Sequence, residues 1–174
     1  MQMRLALVAL CLAATHASAI ELALPVDCPA EGCLIQNYVD HDPGPGHLDY
    51  ACGAIAYDGH DGTDFRVPTR ADAPGARVRA AAPGAVRAVR DDVPDVGLRD
   101  ANPPDVAGRE CGTGVVIDHG EGWSTQYCHL ARGSVRVRPG QRVDTGAELG
   151  RIGMSGKTEF PHVHFVVRRE GRAL

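Results

Sequence analysis

The stretch Gly114-Val115-Val116-Ile117-Asp118-His119-Gly120-Glu121-Gly122-Trp123-Ser124-Thr125-Gln126-Tyr127-Cys128-His129-Leu130 decides the fold. Val115, Val116 and Ile117 form a β-branched run, and Trp123 to Tyr127 forms a second run rich in residues that suit a pleated surface. Between them His119-Gly120-Glu121-Gly122 supplies turn chemistry, so the segment predicts a strand, a glycine-bearing turn and an antiparallel strand. Further valine-rich runs lie outward of it at Val78 to Val89, Ser134 to Val137 and Val163 to Arg168. Each is strand-sized and bounded by turn residues. No stretch sustains a helical period of apolar residues. A mainly β domain built from antiparallel hairpins is therefore expected.

Pro139-Gly140, Gly146, Gly150 and Gly153 recur too closely for a helix or a long strand, and predict tight turns around short β segments. Asp91 to Arg109 is acidic and proline-rich and reads as an exposed loop. Residues 20–58 contain Asp42-Pro43-Gly44-Pro45-Gly46 and read as a loop-rich, disulfide-containing lead-in, ahead of a domain over 59–174. The lead-in is long enough to occlude a groove in a latent form.

Residues 1–19 have the layout of a secretory signal: a basic start ending at Arg4, an apolar run from Leu5 to Ala14, and small residues at Ala17-Ser18-Ala19. Cleavage is expected near Ala19. The run is shorter than the ~20 residues that span a bilayer, so the mature chain is expected to be exported, periplasmic or extracellular, without membrane insertion; a monomer is also expected. The net charge of −4 offers no basic footprint for nucleic acid.

Export favours disulfides. Cys111 and Cys128 flank the hairpin and are expected to pair, whereas the sequence does not choose among Cys28, Cys33 and Cys52. None of these forms a CxxC pair, which disfavours a cysteine zinc site.

Three histidine clusters carry the chemistry: His60-Asp61-Gly62-Thr63-Asp64, Tyr127-Cys128-His129-Leu130 and Pro161-His162-Val163-His164-Phe165. On a strand His162 and His164 share a face while Val163 points to the other. The glycines flanking His60 let a loop bring its imidazole and the Asp64 carboxylate to one ion, with one histidine of the His-x-His pair as third ligand. Three protein ligands leave a coordination position for water, the pattern of a catalytic zinc. The two remaining histidines suit proton transfer and oxyanion stabilisation. No HExxH helix is present, which excludes the metalloproteases built on that motif. His41, His47 and His119 read as surface residues, and Asp118 as a turn former.

These motifs resemble the lysostaphin-type, or LytM-type, zinc endopeptidases of peptidoglycan. The resemblance runs from about His60 to Phe165 and includes HxxxD, YxHL and PHxHF. It also takes in Pro83-Gly84-Ala85-Val86 and Gly140-Gln141-Arg142-Val143, with Gly146, Leu149 and Gly150. It implies a compact antiparallel β-sheet domain with an open groove over a single Zn2+. By resemblance His60, Asp64 and His164 are the ligands, and His129 and His162 the catalytic pair. The substrate is a peptide cross-link or stem peptide of bacterial peptidoglycan, with Tyr127 and Thr158 expected to help bind it. Thr158-Glu159-Phe160 stands where the family often has Ser/Thr-x-Gly, which bears on substrate preference. Two other readings share these motifs: a non-catalytic module that binds or regulates wall hydrolases, and a zinc enzyme of this fold acting on another exported peptide.

Overall fold

The structure is a computed structural model that describes residues 19–28 and 32–174. The expected signal segment lies outside the described residues but for Ala19.

Among the described residues eleven strands follow one another: β1 (Val26–Asp27), β2 (Leu34–Asn37), β3 (Thr63–Arg66), β4 (Arg77–Arg79), β5 (Gly84–Arg90), β6 (Thr113–Gly120), β7 (Trp123–Leu130), β8 (Arg142–Val143), β9 (Glu148–Arg151), β10 (His162–Arg169) and β11 (Arg172–Ala173). The only helical element among the described residues is a 3₁₀ turn at Ala73–Gly75. A small sheet runs β1-β4-β9 and a large one β2-β3-β10-β7-β6-β5-β8, with β11 also on β10. Every pairing among the described strands is antiparallel.

The hairpin that decided the fold is β6–β7, with Val115 opposite Tyr127 and Ile117 opposite Thr125. Alternation then sorts the two faces of the large sheet. Val115, Ile117, Tyr127, Val163 and Phe165 point inward and join Val26, Val78 and Leu149 of the small sheet in one core. The residues between them, among them Gln126, Cys128, His162, His164 and Arg168, share the opposite face through the β7–β10 register. One face therefore holds the fold together, and the other is free to carry chemistry.

Two of the expected strands differ. The run Val78 to Val89 is split into β4 and β5, because the chain crosses there from the small sheet to the large one. Ala80, Ala81 and Ala82 are buried at the crossing, and Pro83 has no amide to offer a ladder. Ser134 to Val137 forms no strand. Ser134 closes a turn on Ala131, and only the Arg136 amide reaches β9, at Leu149 O (3.0 Å).

Two expected loops are more tightly held than their composition implies. Residues 20–58 carry the disulfide Cys28–Cys33 and also supply β1 and β2. The acidic loop 91–109 buries Val93 and is stitched down by Leu98 N–H on Thr158 O (2.8 Å) and Gly133 N–H on Asp91 Oδ1 (2.7 Å). The Cys111–Cys128 disulfide is formed, and Cys52 is an exposed free thiol.

Candidate active site

The chemistry-bearing face of the large sheet takes its layout from register. Asp64 on β3 stands opposite His164 on β10, and His162 is one pleat further along β10. His60 lies in the loop before β3, packed so closely on β10 that a Cβ at Gly62 would meet His164 Cε1 and Phe165 O, each at 2.7 Å. Only glycine fits between the His60 loop and the His164 ring.

Three donor atoms converge there. His60 Nε2 is 3.2 Å from Asp64 Oδ1 and 3.0 Å from His164 Nδ1, which is 2.9 Å from the same carboxylate oxygen. Outer partners fix what these atoms present. His60 Nδ1–H donates to Tyr38 O (2.6 Å), so its Nε2 carries a lone pair. His164 Nε2–H donates to Asp61 Oδ1 (3.1 Å), so in the neutral ring Nδ1 carries one too. Asp64 Oδ2 accepts from Asn37 Nδ2 (2.9 Å), which leaves Oδ1 for the cluster. Three electron pairs facing one another behind a nearly dry wall are placed to hold a cation between them. His60 and Asp64 are each only 2% exposed. Tetrahedral zinc with ligand bonds of about 2.0–2.2 Å sets its donors roughly 3.4 Å apart. The cluster is close to that size, so the residues fit such an ion.

The titration tendencies follow. Burial would raise the Asp64 carboxyl, but the His164 and His60 rings facing it outweigh burial and hold the group far below the usual carboxylate range. Burial likewise pushes His164 down, yet Asp61 and Asp64 overcome it and lift the ring to about 9.

His129 and His162 complete the face. His162 Nδ1–H donates to Phe160 O (2.8 Å), and its Nε2 lies 3.4 Å from Asp64 Oδ1. His129 Nδ1–H donates to Ser155 O (2.8 Å), and its ring centroid is 4.7 Å from that of His162. Burial lowers both, His129 to about 3 with the neighbouring histidines adding to the effect. Both rings are therefore neutral bases near neutral pH, with Nε2 as the free acceptor.

Strict alternation would send His129 to the core, because Cys128 already faces the groove. A β-bulge corrects this: Thr113 pairs Leu130 and Val115 pairs Tyr127, so β7 carries one residue more than β6 at that point. His129 takes up the bend with a φ of 63°, a region that side chains seldom occupy. Opposite the bulge, a Cβ at Gly114 would come within 2.6 Å of Tyr127 O and 2.9 Å of Cys111 Sγ.

Two residues expected at the substrate stand elsewhere. Tyr127 is fully buried on the core face, where its hydroxyl accepts from Ala81 N–H (2.8 Å) and bonds Thr125 Oγ1 (3.0 Å). Nor does Thr158 reach the groove: it is 3% exposed, and its Oγ1 sits between Phe160 O (2.8 Å) and His162 Nδ1 (3.1 Å), so it steadies that ring. His119, expected on the surface, is half-buried and bridges Pro83 O and Thr125 Oγ1.

Asp61, Asn37 and the carbonyls of Tyr38, Phe160 and Ser155 were not foreseen. Asp61 lay within a quoted motif, and its place beside His60 was the only signal for it. A groove crosses the face, lined by Tyr57, Asp61, Glu110, Gln126, Lys157, His164, Val166, Arg168 and the Cys111–Cys128 disulfide. Arg168 is clamped on its floor between Gln126 Oε1 (2.7 Å) and Asp61 Oδ2 (2.6 Å).

Two imidazoles and one carboxylate on a sheet face, open to a groove and flanked by two further histidines, define a class: β domains whose side chains fit an open metal site rather than a closed structural one. Known proteins narrow the class to one family. The profile of Peptidase family M23 matches residues 58–174, and the chain belongs to that family. Peptidoglycan DD-endopeptidase ShyA of Vibrio cholerae is 32% identical over 115 residues, which is 66% of this chain but 21% of the length of that protein. A putative M23 peptidase from Pseudomonas aeruginosa superposes with a TM-score of 0.53 at 25% identity, over 90% of this chain and 48% of the other. A chain of the SpoIIIAH–SpoIIQ complex superposes at 0.62 with 21% identity, over 88% and 95%.

Proposed function

We propose that the protein is an exported zinc-dependent endopeptidase that cuts peptide bonds in bacterial peptidoglycan, at cross-links or stem peptides. The observation that carries this reading is the convergence of five locked side chains on one open face. His60 Nε2, Asp64 Oδ1 and His164 Nδ1 make the cation site, and His129 and His162 hold free Nε2 atoms beside it. Membership of a zinc-dependent peptidase family supports one zinc ion there. The relative named as a peptidoglycan endopeptidase supports the substrate class and, with the signal-like start of the chain, a periplasmic or extracellular place of action.

When bound, zinc supplies Lewis acidity toward a water or a peptide carbonyl. The chain's own groups do the rest. Neutral His162 accepts a proton from the attacking water at Nε2, and Phe160 O holds the opposite N–H so that the ring cannot turn away. As the water oxygen bonds the carbonyl carbon, the protonated ring becomes a donor to the tetrahedral oxyanion. It then passes the proton to the departing amine nitrogen as the C–N bond breaks. His129, fixed from behind by Ser155 O, presents the second Nε2 on the same side and shares these tasks.

The test is release of muropeptides from purified sacculi by the mature protein, with metal content measured in parallel. Wild type is expected to carry about one zinc per chain and to release fragments. His162→Ala should keep metal and lose release, and Asp64→Ala should lose both. Full zinc occupancy without release from any wall type would identify a binding module instead.

A further inference from the structure

The family match begins at residue 58, yet two bonds that shape the cation site come from earlier in the chain. Asn37 ends β2, where the register against β3 shifts between Ile35 and Asn37 and sets Asn37 opposite Asp64. Its Nδ2 donates to Asp64 Oδ2 at 2.9 Å, on the carboxylate oxygen that the histidines leave alone. Only the amide nitrogen can face a carboxylate there, since the amide oxygen would repel it. The next carbonyl, Tyr38 O, fixes the His60 tautomer. Tyr38 N–H on Ile55 O, Asp40 N–H on His60 O and Gly59 N–H on Asp40 Oδ2 then tie this segment to the His60 loop.

We infer that residues 37–40 are a built-in wall of the metal site, with Asn37 as a positioning residue for Asp64. This rests on the metal reading given above. Asp64 is nearly inaccessible to water, so without Asn37 its Oδ2 keeps no donor among the described residues and the carboxylate is less firmly held in a one-oxygen geometry. Partners of this kind around a metal ligand are worth about 10- to 100-fold in metal affinity. The sign is opposite to that of an occluding lead-in: cutting a plug's contact would release activity, whereas cutting this one loses metal.

The test uses the full mature chain as wild type, Asn37→Ala and Gln36→Ala. Gln36 sits on the same strand, but its Oε1 accepts from Arg66 Nη1 (2.7 Å) rather than facing the cluster, so it controls for general loosening of β2. Zinc affinity is read by competition with a chromophoric chelator near neutral pH, alongside the melting temperature of the metal-free protein. Asn37→Ala should bind zinc about 10- to 100-fold more weakly, with the metal-free melting temperature lowered only by the few degrees that a stranded carboxylate oxygen costs and with activity recovered by added zinc. Gln36→Ala should match wild type. Equal affinity in wild type and Asn37→Ala, or an equal loss in Gln36→Ala, overturns the inference while the metal reading stands. A wild type that binds no zinc overturns both.

Discussion

Replacing Tyr127 by Phe removes one hydroxyl and separates two roles for this residue. The ring keeps its place against Phe165, 5.3 Å between centroids, so packing is preserved. The Ala81 amide, 2.8 Å from the lost oxygen in a residue with no exposed surface, is left without a partner. A buried donor stranded in this way costs about 1–3 kcal/mol. Thr125 Oγ1 retains its bond to His119 Nε2 (2.8 Å), so no second penalty is added. In a domain of this size each kcal/mol moves the melting temperature by about 2–4 °C, giving an expected fall of roughly 2–12 °C. The hydroxyl lies on the core face and the cluster on the other, so kcat/KM on solubilised peptidoglycan should stay within about twofold. Thermal melts by circular dichroism and initial rates of muropeptide release give both readouts. An unchanged melting temperature with a large loss of kcat/KM would show that Tyr127 touches substrate.

Gly114→Ala should cost about 1–3 kcal/mol by denaturant titration and should lower kcat as well, because the added carbon meets the strand that turns His129 outward; unchanged kcat would detach the bulge from catalysis. Removing the Cys111–Cys128 disulfide, which closes a 17-residue separation, should cost about 3 kcal/mol in the same titration, and no change would show that the link is not formed. The Asp49 carboxyl is held below its usual value, chiefly by the Gly53 N–H with help from Ala51 and Ile55, against burial that would raise it. A carboxyl lowered on folding stabilises above its unfolded pKa of about 3.9 and loses that contribution as pH falls through the lower folded value. The protection factor of the Gly53 amide, its exchange rate relative to an unprotected amide at the same pH, should therefore fall in acid in the wild type and lose that dependence in Asp49→Asn; identical profiles would refute the role.

Much of the sheet was legible because β-branched runs and glycine turns act locally. Val115, Ile117 and Tyr127 had to share one face whatever their partners, and His162 and His164 had to share the other. The crossing at Ala80–Pro83 was not legible, since alanines carry no period and the split depends on a second sheet. The bulge at His129 was hidden for a similar reason: an extra residue on β7 is defined only against β6. The cluster His60, Asp64 and His164 could be named by motif. Its outer shell could not, because Tyr38, Ser155 and Phe160 contribute main-chain carbonyls that every residue possesses. Tyr127 was misplaced because a tyrosine beside a motif histidine reads the same whether its hydroxyl meets substrate or a core amide.

X-ray absorption at the zinc edge, on mature protein loaded with stoichiometric zinc, tests the metal site most directly. Light-atom neighbours at about 2.0–2.2 Å are predicted, with the scattering signature of two imidazoles and no sulfur. A sulfur shell near about 2.3 Å, or a spectrum without imidazole, would contradict the assignment of the ion to His60, Asp64 and His164.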